Sequence, residues 1–128
     1  MRLLLDTCTF LWIVGDAPEL SSKAQDLFSD PKNEVYLSAA SAWEIGVKYN
    51  LGRLPLPEPP DSYVVRLREE HDIAPIAIDE ASALKVVHRP DIHKDPFDRM
   101  LICQAQVHEM VLLTPDGEIA KYPVSTLW

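Results

Sequence analysis

At 128 residues, with 47% hydrophobic and 25% charged side chains, the chain can close one hydrophobic core, and its composition excludes a disordered tail or tether. Twelve Lys and Arg stand against twenty Asp and Glu, and the resulting net charge of −8 is the wrong sign for a surface that grips nucleic acid over its whole extent. That sign suits carboxylates gathered around a cation, or a basic protein partner. No apolar run approaches the roughly 20 residues of a membrane span. The apolar start meets Asp6 too soon for a signal peptide. Cys8 and Cys103 lie in apolar surroundings and read as small buried hydrophobes of a reducing compartment, so a cytoplasmic protein is expected.

Arg2–Leu5 is a short apolar run that ends at an acid and reads as a buried strand. Thr7–Val14 follows as a helix, opened by the Asp6–Thr7 pair and ending near Gly15. Ser21–Ser29 is a second helix, with Ala24, Leu27 and Phe28 at helical spacing. Glu34–Ser38 is the second strand, and Ala39–Leu51 a helix closed by Gly52. Four prolines between Gly52 and Pro60 forbid helix and make an extended, stiff loop. Asp61–Glu70 resumes as an amphipathic helix. Ile73–Ile78 is a strand whose Pro75 belongs at a sheet edge. Asp79 caps a helix through Val87, Arg89–Lys94 is loop, and Asp95-Pro96 opens a helix to about Glu109. Val111–Thr114 is a strand, and a last one is expected at Tyr122–Ser125. Uniformly apolar strands alternating with helices predict a single α/β domain over residues 1–128, a parallel sheet covered on both faces.

Ligands of open α/β sheets bind beyond the carboxyl ends of the strands. Asp6 ends the first strand, Asp116 follows the strand at 111–114, Glu44 is on the helix after the second strand, and Asp98 is in the first turn of the helix from Pro96. Four acids on one edge repel unless a cation sits among them, and oxygen ligands are what Mg²⁺ or Mn²⁺ takes. Each acid also has a plainer use. Asp6 suits a helix cap, Glu44 an exposed ion pair with Lys48, Asp98 a helix dipole, and Asp116 a turn in T-P-D-G. The joint placement, rather than any one residue, points to a metal site.

L-L-L-D-T at 3–7, S-A-A-S-A-W-E-I at 38–45, H-K-D-P-F-D-R-M-L-I-C-Q-A at 93–105 and L-L-T-P-D at 112–116 resemble the ordered motifs of the PIN domain. With Y-P-V-S-T-L-W at 122–128, the chain resembles more closely the VapC-type toxins of prokaryotic toxin–antitoxin pairs. The resemblance implies a three-layer α/β/α domain with a mainly parallel sheet, and a divalent-metal-dependent endoribonuclease using Mg²⁺ or Mn²⁺. It places the core acids on Asp6, Glu44 and Asp98 and a more variable fourth on Asp116. Thr7 and Thr114 match supporting hydroxyls, and Asp95 an acid that caps or supports. Pro115 and Gly117 around Asp116 depart from the family pattern.

Near those acids, Lys48, Arg53, Lys94 and Arg99 are candidates to hold RNA phosphates while the remaining surface stays acidic. His71, His88, His93 and His108 lack zinc-ligand spacing and read as structural or exposed. Trp12 and Trp43 read as core residues before base-stacking ones. A cognate antitoxin is the expected partner, its basic group reaching the acids and its apolar part resting near Phe10, Leu11, Trp12, Leu54 and Leu56; a homodimer is expected too. Competing readings are a DNA or structure-specific nuclease of the same fold, a phosphotransferase using Asp6 as nucleophile, and a catalytically silent binding module. The phosphotransferase would need a second acid where Cys8 stands.

Overall fold

The computed structural model describes residues 1–88 and 95–128. The loop expected at 89–94, with His93 and Lys94, lies outside them. In chain order the elements are β1 (Arg2–Leu5), α1 (Thr7–Val14), α2 (Ser22–Ser29), β2 (Glu34–Ser38), α3 (Ala39–Asn50), α4 (Pro60–Glu70), β3 (Ala74–Ile76), α5 (Glu80–Lys85), α6 (Pro96–Val107), β4 (Val111–Leu113) and β5 (Thr126–Leu127). Short 3₁₀ turns occupy Val86–His88 and Ile119–Lys121.

The caps follow the local chemistry. Ser21 accepts from the Ala24 N–H at 3.0 Å, Ser38 from Ala40 at 3.0 Å, and Asp95 from Phe97 at 2.9 Å, each answering a backbone donor that the first helical turn leaves open. Gly52, with φ +71°, takes the left-handed turn after α3 that its sequence position predicts.

All pairings among the described strands are parallel, in the order β3-β2-β1-β4-β5. Pro75 is on the edge strand β3, where its missing N–H costs no ladder bond on the outer side. Side chains of β1 alternate between two cores. Leu3 and Leu5 join Phe10, Ile13, Ala24 and Val64 on one face, and Leu4 joins Leu101, Ile102, Ala105 and Ile119 on the other. Helices therefore cover both faces of a central sheet, which is the α/β/α layering expected. No helix among the described residues is long and apolar enough to cross a membrane.

Among the boundaries that differ from the sequence expectation, the helix expected through Val87 ends at Lys85 and gives way to a 3₁₀ turn, and three others have a visible cause. The last strand is at Thr126–Leu127 rather than Tyr122–Ser125, because Tyr122 turns into the core and Pro123 has no N–H to donate to a ladder. Strand β3 is three residues long: the Ile73 N–H is taken by the Arg68 carbonyl at 2.9 Å, and the Ala77 carbonyl by Gln104 Nε2 at 3.0 Å. Helix α6 stops at Val107, and Glu109 takes a left-handed φ of +55°. Phe10 is fully buried, which removes it from any docking surface, while Leu54 and Leu56 are partly buried against the same core.

Strand order reverses direction at β1: β2 and β3 build out on one side, β4 and β5 on the other. The crevice between the carboxyl ends of β1 and β4 is the switch point at which such sheets bind ligands. Asp6 leaves one strand there and Thr114 the other.

Candidate active site

Asp6 is 4% exposed and does two things. As the N-cap of α1, its Oδ1 accepts from the Thr9 N–H at 2.8 Å and from the Cys8 thiol at 3.3 Å. Its Oδ2 accepts from the buried Thr114 hydroxyl, across the switch point. Capping alone does not bury a carboxylate, so the plain reading of Asp6 covers only half of its environment. Thr114 Oγ1 in turn accepts the Asp116 N–H at 3.1 Å, and Asp116 Oδ1 accepts from the Glu118 N–H at 2.8 Å. Asp116 thus shapes the turn after β4 and is tied to Asp6 through one hydroxyl.

Glu44 belongs to a second group. It is 5% exposed, so its link to Lys48 is not the solvated surface pair that i,i+4 spacing suggests. One oxygen accepts from Thr7 at 2.6 Å and the other from the Lys48 ammonium. Thr7 Oγ1 also lies 3.0 Å from Ser41 Oγ. Ser41, fully buried three residues before Glu44 on α3, was not among the expected site residues; the S-x-x-E spacing, which puts both on one helix face, was the available signal.

Asp95 caps α6, accepting from Phe97 at 2.9 Å and from Asp98 at 3.2 Å. The negative charge of Asp98 acts on both groups. It adds to Asp6 in holding the Cys8 thiol protonated, pushed up to about 12 chiefly by burial, and it acts with Glu44 and Asp95 on the Lys48 ammonium. Cys8 is therefore half-buried and polar in role, not the buried hydrophobe that its apolar neighbours suggest. Burial and the carboxylates beside it thus keep Cys8 a protonated donor to Asp6.

The expected acids are thus gathered as two linked sets: Asp6 with Thr114 and Asp116, and Glu44 with Thr7, Ser41 and Lys48, the Asp98 charge falling on members of both. Among the described residues, no three carboxylate, imidazole or thiol side chains stand close enough to hold one ion as they are arranged. The donor set itself fits a hard divalent cation, being carboxylate and hydroxyl oxygen throughout. Asp6 in particular is a buried carboxylate that, among the described residues, accepts hydrogen bonds from neutral donors: the Cys8 thiol, the Thr9 N–H and the Thr114 hydroxyl.

Beside this edge, Trp43, Pro96, Phe97, Arg99 and Met100 help to line an apolar cavity of about 230 Å³. Trp43 is 63% exposed and set edge-on to Phe97 at 5.1 Å, which corrects its reading as a core residue. Trp12 is half-buried against Trp128, with ring centroids 5.7 Å apart. Arg53 is exposed. His71 Nδ1 lies 2.8 Å from the Leu67 carbonyl, and His108 Nε2 3.0 Å from Asp79, both remote in role from the acids.

The PIN domain family model matches residues 3–124 of the chain. Over 65 residues the chain is 40% identical to Ribonuclease VapC16 of Mycobacterium tuberculosis, a stretch that covers 51% of this chain and 46% of that protein, so just under half of that relative's length is matched. Two solved structures are similar along almost the whole chain. VapBC2 from Rickettsia felis, bound to a DNA fragment from its promoter, has a TM-score of 0.73 at 13% identity, covering 99% of this chain and 98% of that one. DNA-bound VapBC from Salmonella typhimurium has a TM-score of 0.71 at 18% identity, covering 99% and 97%. At these identities the structural likeness shows the fold.

Proposed function

The chain belongs to the PIN domain family, and from that premise we propose that it is a one-domain, divalent-metal-dependent endoribonuclease, the toxin of a toxin–antitoxin pair. The observation that carries this reading is Asp6: a carboxylate buried at the switch point of a parallel sheet and held there by the Thr9 N–H, the Cys8 thiol and the Thr114 hydroxyl, all neutral donors. The relative named a ribonuclease and the VapBC neighbours support it.

In this reading Asp6, Glu44 and Asp98 hold Mg²⁺ or Mn²⁺, with Asp116 as a fourth, outlying acid. When bound, such an ion offsets phosphate charge and makes water more acidic. The protein's own residues supply position. Thr114 turns Asp6 toward the crevice, Thr7, itself held by Ser41, does the same for Glu44, and Asp95 anchors the first turn of α6 so that Asp98 stays at the edge. Lys48, Arg53, Lys94 and Arg99 take the phosphates of RNA. Lys48 is engaged by Glu44, so its contact with substrate requires release from that carboxylate.

An antitoxin with an exposed Arg fits an acidic crevice, because a guanidinium pairs bidentately with carboxylates. A second copy of the chain and a cytoplasmic setting complete the proposal. The test is incubation of the purified protein with single-stranded RNA or DNA, in MgCl₂ or in EDTA. RNA cleavage that stops in EDTA is the expected result. Cleavage of DNA alone, or activity indifferent to chelation, overturns the reading. Copurification of a small basic partner from the native operon tests the toxin part separately.

A further inference from the structure

Both oxygens of Glu44 are already in use. Thr7 occupies one, and its hydroxyl is pinned by a buried position at the start of α1. Lys48 occupies the other from a side chain that is 46% exposed, on a flexible four-carbon stem with a clear way out to solvent. Each oxygen keeps a further lone pair, so a cation reaching Glu44 need not evict Thr7, but it repels the ammonium held at the same carboxylate, and the lysine is the partner with room to leave.

The same ammonium lies within the field of Asp95 and Asp98, neither of which is on α3. Without it, a nearly dry Glu44 would lose the cation bonded to it while still facing other acids, an arrangement that destabilises a fold strongly. Asp6, by contrast, accepts from neutral groups among the described residues.

We infer that Lys48 is the built-in counter-cation of Glu44 and its neighbouring acids, and that it exchanges with the divalent ion. Resting on the metal-dependent reading above, this makes Lys48 a positioning residue that keeps the metal-free site folded and weakens its hold on the ion. Binding at Glu44 then costs the displacement of an ion pair, and it frees an ammonium at the edge where phosphate arrives.

Calorimetric titration of MnCl₂ into chelator-treated wild type, Lys48→Met and Lys48→Arg tests this. Lys48→Met is expected to bind Mn²⁺ about tenfold more tightly, the effect of removing a competing charge next to a carboxylate. Lys48→Arg, which keeps the charge, is expected to stay near wild type. In EDTA, Lys48→Met is expected to melt below wild type, and the gap to close in saturating MnCl₂. Should Lys48→Met not fold, the wild type alone decides the matter by ¹⁵N NMR. A Lys ζ-ammonium signal protected in EDTA, absent from Lys48→Arg, should be lost when MgCl₂ saturates the site. Wild type that binds metal while Lys48→Met binds no tighter, or a signal that persists in MgCl₂, overturns the exchange and leaves the metal reading standing. Wild type that binds no Mn²⁺ overturns the metal reading itself.

Discussion

The Thr7 hydroxyl donates to the Glu44 carboxylate at 2.6 Å, joining the start of α1 to the middle of α3 across 37 positions of sequence. The parallel register of β1 and β2, with Leu5 opposite Leu37, brings the two helix starts level at one edge of the sheet. Thr7→Val keeps the shape and removes the donor, leaving a buried carboxylate oxygen without it. The expected result is a fall in ribonuclease activity of about 10–100-fold, the usual effect of losing a group that orients a ligand. Stability is expected to fall by about 1–3 kcal/mol in urea unfolding. Thr7→Ser, which restores a hydroxyl, should recover most of both.

Asp6→Asn is expected to lower cleavage at least about a hundredfold, since in the proposed reading it replaces a metal ligand rather than a ligand's support. The fold should survive, because the amide retains an oxygen for the Thr9 N–H and the Cys8 thiol. In EDTA the variant is expected to melt no lower than wild type, since a buried charge held by neutral donors among the described residues has been removed. Circular dichroism with a cleavage assay on the same samples checks both. A variant as active as wild type would rule out Asp6 as a ligand.

Much of this arrangement was legible in the sequence because it rests on short-range rules. Apolar runs ending at acids located β1 and β4, Asp95-Pro96 located α6, and Pro75 located the sheet edge. Residues whose roles depend on distant partners were not legible. Nothing local tells that Cys8 faces Asp6, or that Ser41 lies against Thr7, a residue 34 positions earlier. The Glu44–Lys48 spacing reads as a surface pair, and only tertiary packing on α3, with α1 reaching Glu44 through Thr7, buries its carboxylate end. Trp43 was misread because hydrophobicity alone does not report which face of α3 the sheet leaves uncovered.

Away from the site, Asp79 ties the start of α5 to the end of α6. Its carboxyl is lowered from 3.8 to about 2, first by the Ser82 hydroxyl at 2.6 Å and then by His108 at 3.0 Å. A carboxyl that is more acidic in the folded state stabilises the fold while it is ionised. Its contribution is complete above pH 3.8 and is lost as pH falls toward about 2. Asp79→Asn should therefore melt below wild type at neutral pH, with the gap shrinking across that acid window and not before it. A gap that stays constant down to about pH 2 would show that the carboxylate's charge is not what joins the two helices.

Thr9 offers the opposite case to Thr7, two positions along the same helix. It is fully buried, and its hydroxyl has no hydrogen-bond partner among the described residues. What Thr9 gives the site is its backbone N–H, donated to Asp6 at 2.8 Å, and a side-chain change does not touch that bond. Valine has the same branched shape and the same stiffness at χ1, so it fits the space without adding an atom. It also removes a hydroxyl that was taken out of water for no return. Thr9→Val is expected to stabilise the protein by about 1 kcal/mol, or about 3–5 °C in melting temperature, with cleavage activity close to wild type. The same Thr→Val exchange should thus lower stability at position 7 and raise it at position 9. Thermal unfolding of the two variants side by side checks this. A loss of stability in both would mean that the Thr9 hydroxyl has a bonded partner after all.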